Sequence, residues 1–254
     1  MPCVPSSAIP GSLLVLALAA NLFAQTPAAT KPSASGSTGL SSTAMVSCLD
    51  PPLGTKTVRS EGLVAPDGKS RAYVEVESRA VALDKTIVNL PRCANTSRLW
   101  LREGSSSYRL IYLDSPLDLE AGNGLRLVDW SADGRRLLIE RSRWQFESED
   151  ETRSVLLYDA HTGLFQEPDL DHIARKLFDA NCALNTHVLG FAADGKILLE
   201  AHPLTPEEEE VQAVQSCVKK ATRWKLAPAS EKLEPVESTT PVQKYGKVQS
   251  PEGK

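Results

Sequence analysis

Short apolar runs broken by Asp-Gly turns recur along the middle of the chain. Leu137-Leu138-Ile139 follows Trp130-Ser131-Ala132-Asp133-Gly134-Arg135, and Ile197-Leu198-Leu199 follows Phe191-Ala192-Ala193-Asp194-Gly195-Lys196. A degenerate copy, Val64-Ala65-Pro66-Asp67-Gly68-Lys69, leads into Arg71-Ala72-Tyr73-Val74-Glu75-Val76. The Asp-Gly pairs lie 66 residues apart (67 to 133) and 61 apart (133 to 194). Asp-Gly between two β-rich runs predicts a hairpin, because Gly reaches positive φ without a Cβ penalty. Gly68, Gly134 and Gly195 are therefore expected at left-handed turn positions. Asp67, Asp133 and Asp194 are expected to accept local backbone hydrogen bonds there, a structural role that needs no catalysis or metal.

Further β-rich runs follow each turn. After the first come Arg98-Leu99-Trp100-Leu101 and, past the polar loop Gly104-Ser105-Ser106-Ser107, the run from Tyr108 to Leu113. After the second come Ser154 to Asp159, the turn Ala160-His161-Thr162-Gly163, and Leu164-Phe165-Gln166. After the third come Thr222 to Leu226 and Leu233 to Val236. Each unit reads as four short antiparallel strands. The fold class is thus mainly β, with antiparallel four-stranded sheets and one or two inserted helices.

The longer helix is expected to begin at Thr205, where Thr205-Pro206-Glu207-Glu208 is a capping box with Pro at the first helical position. Glu207 to Glu210 suit the positive end of its dipole, and Lys219 and Lys220 the negative end. Val211, Val214 and Val218 recur at i, i+3 and i+7 as an apolar stripe, with Cys217 beside it. A shorter helix is predicted over 171–180, burying Ile173, Leu177 and Phe178.

The termini differ in composition from this middle. Leu13 to Ala20 is a compact apolar run, too short to span a membrane, and it suits the core of a secretory signal over 1–24 with cleavage after Ala24. No Lys or Arg precedes it, so the α-amino group is its only positive charge. Residues 25–47 are rich in Ala, Ser, Thr, Pro and Gly and are expected to be a flexible leader. The folded domain is assigned to 48–237, and 238–254, with a lone Tyr245, to a disordered C-terminal tail. The mature chain is expected to be secreted or periplasmic, without a membrane span. Cys3 leaves with the signal. Cys48, Cys93, Cys182 and Cys217 then suit two disulfides. Cys48–Cys93 and Cys182–Cys217 are favoured among the three arrangements, since each pair lies within one half of the chain. The spacings contain no CxxC pair and do not suit zinc.

Composition narrows the function by exclusion. With 254 residues, 41% of them hydrophobic, the chain can bury a sizeable core. Its 28 basic and 32 acidic side chains give a net charge of −4, which lacks the basic footprint of a nucleic-acid binder. There is no Gly-x-Ser-x-Gly elbow, no Asp-x-Asp-x-Asp-Gly calcium loop and no phosphate-cradling glycine loop. His161, His172, His187 and His202 lack helical metal-pair spacing and read as single turn or surface residues. No catalytic, metal or cofactor residues are assigned. Trp100, Trp130 and Trp224 lie in strand runs and are expected between sheets, whereas Trp144, among Arg141, Arg143 and Glu147, suits a partly exposed ring. Glu147 to Glu151 reads as the solvated tip of a long hairpin.

The Trp/Phe-Ser/Ala-x-Asp-Gly-Arg/Lys motif, with its apolar strand and the later Leu157-Tyr158-Asp159-x-x-Thr162-Gly163 turn, resembles blades of TolB-like or WD40-like β-propellers. The unit from Leu125 to Pro168 matches best, the third matches over its first hairpin, and the first is marginal. The resemblance implies a four-stranded-sheet repeat used as a binding scaffold. Propellers close with four to eight blades of about 40 to 50 residues, and here three units are visible. A hidden fourth sheet, an open or partial propeller, and two chains forming one ring as a homo-oligomer are the alternatives, with a stand-alone antiparallel α+β fold as the competing architecture. The expected function is non-catalytic binding of a protein or cell-envelope component. The competing class is a secreted hydrolase for glycans or peptides, its site assembled only by folding. A purely structural envelope protein is the third class.

Overall fold

The computed structural model describes residues 54–81, 92–115, 121–145 and 151–250. The first sheet is built from β1 (Gly54–Arg59), β2 (Gly62–Val64), β3 (Ser70–Val81), β4 (Arg92–Glu103) and β5 (Arg109–Asp114). The middle sheet follows with β6 (Ala121–Trp130), β7 (Arg136–Gln145), β8 (Glu151–Asp159) and β9 (Leu164–Gln166). Then come α1 (Leu170–Phe178), β10 (Cys182–Ala183), β11 (Asn185–Phe191), β12 (Ile197–His202), α2 (Pro206–Gln212), β13 (Gln215–Ser216), β14 (Thr222–Ala227), β15 (Lys232–Val236) and β16 (Lys247–Gln249). The middle sheet runs β6-β7-β8-β9 and the third β11-β12-β14-β15, both antiparallel. The first sheet has the same simple order over β2-β3-β4-β5, with β1 paired to the far half of β3 and β16 paired to β2. The expected four-stranded units are therefore present.

The three predicted turns are hairpins with left-handed glycines: φ is 73° at Gly68, 69° at Gly134 and 75° at Gly195. Each carboxylate accepts a backbone N–H two residues on: Lys69 N to Asp67, Arg135 N to Asp133 and Lys196 N to Asp194, at 2.9, 3.1 and 3.3 Å. Asp133 also accepts from the Ser131 hydroxyl at 2.6 Å, and these bonds hold its carboxyl below its ordinary value. The turns stand in a row. The position of a Cβ on Gly134 is 3.6 Å from the Asp67 side chain, and that of a Cβ on Gly195 is 3.6 Å from Arg136.

The middle sheet explains why its runs are continuously apolar rather than alternating. A strand covered on both faces has no polar side to show. Leu125, Leu127, Leu137, Ile139, Leu156 and Tyr158 pack with Val74, Val76, Leu99 and Leu101 of the first sheet. Val128, Leu138, Val155 and Leu157 pack on the other side with Val188, Ile197, Leu199, Trp224 and Leu226 of the third. Leu137, Leu138 and Ile139 are all fully buried.

Both helices are present, with different extents from those expected. Asp169 caps α1 by accepting from His172 N, and Leu170, Ile173 and Ala174 form its buried stripe. Leu177 is 46% exposed instead of buried: it continues the stripe of Leu170 but falls in the last turn, where Phe178 makes the contact with the core. The capping box at Thr205, Pro206 and Glu208 is complete. However, α2 ends at Gln212, and Ala213 takes a left-handed conformation. Val214, Cys217, Val218, Lys219 and Lys220 therefore lie beyond it, and no basic residue occupies its last turn. Gln215 and Ser216 pair in parallel with Cys182 and Ala183, and Ser216 N donates to Glu209 at 2.7 Å. Strand pairing has overridden helix propensity there. The Cys182–Cys217 disulfide forms as expected, with Cα atoms 5.0 Å apart, but it staples the β10 and β13 segments rather than two helices. Cys48, of the other expected pair, lies outside the described residues, as do the signal and leader assigned to 1–47.

The C-terminal segment corrects the expectation of disorder over 238–254. Up to residue 250 it runs along all three sheets. Arg223 donates to Thr240 O at 3.0 Å, Gln243 N donates to Phe191 O at 2.8 Å, and Val242 lies over Gly190, where a Cβ would fall 2.6 Å from it. Tyr245 N and Gly246 N donate to the buried carboxylate of Asp129 at 3.0 and 2.7 Å, beside Trp130 N at 2.8 Å. Lys247 to Gln249 then pair with Val64 to Gly62, and Arg71 donates to Ser250 O at 2.7 Å. Composition hides this because the segment is held through its backbone rather than by apolar side chains.

Two outcomes follow from these contacts. Gly134→Val and Gly195→Val should each cost about 1–3 kcal/mol in urea melts, and the Asn substitutions noticeably less. Space is ordinary at both sites, so the cost is backbone strain, and equal costs for Val and Asn would contradict the left-handed assignment. Asp129→Ala strands three backbone donors and should cost on the order of 2–4 kcal/mol, with faster proteolysis confined first to 241–250. Unchanged stability and cleavage would show that the strap is held by something else.

Candidate functional site

Two places in the fold gather chemistry. One is the seam between the middle and third sheets. β11 presents its open edge to the middle sheet, and an Arg–Glu pair there takes the part of a neighbouring strand. Arg126 Nη2 donates to Val188 O at 2.6 Å, and Val188 N donates to Glu140 Oε2 at 2.6 Å. Arg126 and Glu140 bond each other through Nε and Oε1 at 3.0 Å. Glu140 is buried, so each of its charges and lone pairs must be met inside the protein. One residue before Val188, His187 Nε2 lies 2.6 Å from Arg153 Nη1 and the ring sits edge-on to His202, with centroids 5.4 Å apart.

Below this seam a cavity of about 400 Å³ opens between the ends of β7 and β8, the start of α1, and α2. Arg141, Arg143, Arg153, Glu151, Glu167 and Glu208 are among its walls. These charges are already engaged. Arg141 bonds Glu167 and the Tyr112 hydroxyl, and Arg153 bonds Glu151. Arg143 holds Asp114 of β5 through two nitrogens at 2.7 and 3.2 Å. Glu208 accepts from Thr205 N and Asn185. Ser154 is on the wall, and no histidine is among the described lining residues. Among the described residues no group of three or more His, Cys, Asp or Glu side chains is placed to hold a metal ion. Such a site can hold polar matter in a fixed charge pattern.

The other place is the outer face of the first sheet. Tyr73 of β3 pairs across the strands with Trp100 of β4. Their rings lie 15° from parallel with centroids 6.3 Å apart, and Tyr108 packs edge-on to Tyr73 at 4.8 Å. Arg59 lies over Tyr73 at 5.2 Å and Arg102 over Tyr108 at 5.1 Å, both within cation–π range. Glu75 and Glu77 pair with Arg59 and Arg98 beside them, at 2.8 and 3.0 Å. All three rings remain partly exposed, and the buried Nε1–H of Trp100 has no hydrogen-bond acceptor. On the third sheet the corresponding outward cations include lysines, Lys196, Lys225 and Lys232. Arginine and aromatic rings together are the composition of recognition surfaces, from which lysine is depleted.

The expected sites fare differently. The three Asp-Gly turns lie side by side at one end of the sheets, and none of their residues lines the cavity beside α1. Trp130 and Trp224 are buried, their indole N–H groups bonded to Leu63 O and the Thr222 hydroxyl. Trp144 is partly buried across Gly122. Trp100 departs from the expectation of burial between sheets: its register places it on the outward side of β4, opposite Leu99 and Leu101. Alternation along Leu99-Trp100-Leu101 carried that signal, since neighbours in a strand point to opposite faces. The seam residues Arg126, Glu140, Arg153 and His187 share no local motif, since they spread over 61 positions, from 126 to 187.

Replacing Glu140 tests the seam. Glu140→Ala leaves the buried Val188 N–H without its acceptor and the part-exposed Arg126 with Val188 O as its partner, and should cost about 1–3 kcal/mol in denaturant melts. Glu140→Gln keeps one acceptor oxygen and should cost less. A cost below about 1 kcal/mol for the alanine variant would mean that the pair does not dock β11.

Compared with models of known protein families and with curated proteins, the sequence matches none.

Proposed function

We propose that this is an exported, non-catalytic binding protein, a short propeller-like stack of sheets whose outer aromatic face engages a protein or cell-envelope partner. The observation that carries the reading is the Tyr73–Trp100–Tyr108 cluster with Arg59 and Arg102 on a terminal sheet. Trp, Tyr and Arg supply most of the binding energy in protein interfaces, because they bury large area at low entropic cost. A sheet face that is stiff on both sides of the contact loses little freedom on binding. The signal-like run from Leu13 to Ala20 and the Cys182–Cys217 disulfide support an oxidising, exported setting.

The cavity beside α1 is the observation that favours the second reading, a hydrolase for glycans or peptides. Arg141, Arg143, Arg153, Glu151 and Glu167 on its wall are tied into ion pairs, which suits binding better than proton transfer and ranks it second, while Asp171, whose carboxyl burial holds above its ordinary value, is the wall group that would serve as an acid.

Cross-linking of the purified protein to an envelope extract of its native host should yield a discrete adduct. Trp100→Ala combined with Tyr108→Ala should weaken capture by about 30-fold or more, the loss of one interface hot spot of about 2 kcal/mol. Undiminished capture by a folded double variant would remove the aromatic face from the proposal. Turnover of glycan or peptide substrates that is lost on Ser154→Ala would favour the hydrolase instead.

A further inference from the structure

The seam holds a histidine in a position that only its neutral form can occupy. A guanidinium has donors and no acceptor, so the 2.6 Å contact between Arg153 Nη1 and His187 Nε2 requires a lone pair on that nitrogen. A second proton on the ring would remove the acceptor and set two cations against each other.

The carboxylates around the ring are already engaged by other donors, including Glu200, which lies directly opposite His187 in the β11–β12 register. Glu140 from β7 is engaged by Arg126 of β6 and by Val188 N. Glu151 from β8 is paired with Arg153 itself. Glu200 of β12 accepts from His202 at 3.2 Å and pairs with Arg223 of β14 at 3.5 Å. Glu208 of α2 is held by Thr205 N and Asn185, and Lys244 of the C-terminal segment donates to Leu189 O. Arg126, Arg153 and His202 all oppose a charge on His187, and only Glu140 favours it.

We propose that His187 makes the seam a proton-sensitive latch, releasing Arg153 and loosening the docking of β11 when its imidazole takes a second proton. Arg153 lines the cavity as well as the seam, so the same proton would alter the charge pattern of the cavity wall. The latch stands apart from the binding face on the first sheet and holds whatever partner that face takes.

Burial and then the charge of Arg153 hold the imidazole below its ordinary value. The sign follows from linkage. The unfolded ring binds its proton near pH 6.5, and the folded ring only at lower pH. Stability from the latch is therefore complete above that point and declines as pH falls toward the folded value.

The test is amide exchange on the intact chain at pH 7.5 and pH 5, corrected for intrinsic rates. Protection at Val188, whose N–H donates to Glu140 in the seam, should fall in the wild type between these two pH values. His187→Gln offers an acceptor oxygen that cannot protonate in this range and should abolish the fall, whereas His202→Gln should retain it. An unchanged acid response in folded His187→Gln would overturn the proposal. Should that variant fail to fold, the His187 ring titration in the wild type decides by nuclear magnetic resonance. A midpoint clearly below 6.5 supports the latch, and one at or above 6.5 overturns it.

Discussion

A sheet that is apolar on both faces must be covered twice, and that requirement organises this protein. Leu137, Leu138 and Ile139 point alternately to the first and third sheets, so removing either neighbour would bare a layer of leucine, isoleucine and valine. At about 25 cal/mol per Å² of apolar surface, each layer contributes far more than any single polar bond described here. The middle sheet is thus the reason that the outer two are held.

Stacking by apolar faces leaves the strand edges unanswered, and the protein meets them with buried charge. Arg126 and Glu140 give β11 a donor and an acceptor spaced as another strand would give them. Asp129 collects three N–H groups, two of them from the segment that follows the last sheet. Charged partners suit this task because a bond to an ionised group is about twice as strong as a neutral one. Their cost is dependence on geometry. A carboxylate in such a place is useful only while its donors stay, which ties the strap, the seam and the sheets into one arrangement.

What could be read from the sequence was local. Turn chemistry marked the three hairpins, Thr205 to Glu208 marked a helix start, and strand spacing separated the units. The Cys182–Cys217 pair followed from placing both cysteines in one half of the chain. The features that escaped are those whose partners are distant. The run of valines after Gln212 has helical spacing, yet Ser216 finds a better partner in Ala183. The segment from Val242 to Ser250 is polar and lacks an apolar pattern, because it contributes backbone donors to Asp129 and a strand to β2. Glu140 and Val188 are 48 residues apart, a distance at which no local motif operates. Trp100 escapes for a different reason: it stands in an apolar strand run, but Leu99 and Leu101 on either side take the inner face and turn it outward.

The contrast between the two ends of the stack bears on what each can do. The outer side of the third sheet is crossed by the C-terminal segment, with Val242 over Gly190 and Arg223 bonded to Thr240 O. Partners on that side would have to displace a strap that is fixed at Asp129 and again at β2. On the first sheet the described part of the segment pairs with the β2 edge and is held at Ser250 by Arg71, which stands on the same side of β3 as Tyr73. Rigid aromatic groups on a pre-formed face lose little entropy when covered, whereas a strap must first be released. The binding proposed for the first sheet would meet rings that lie beside the end of the strap, whereas binding on the third sheet would first have to release it.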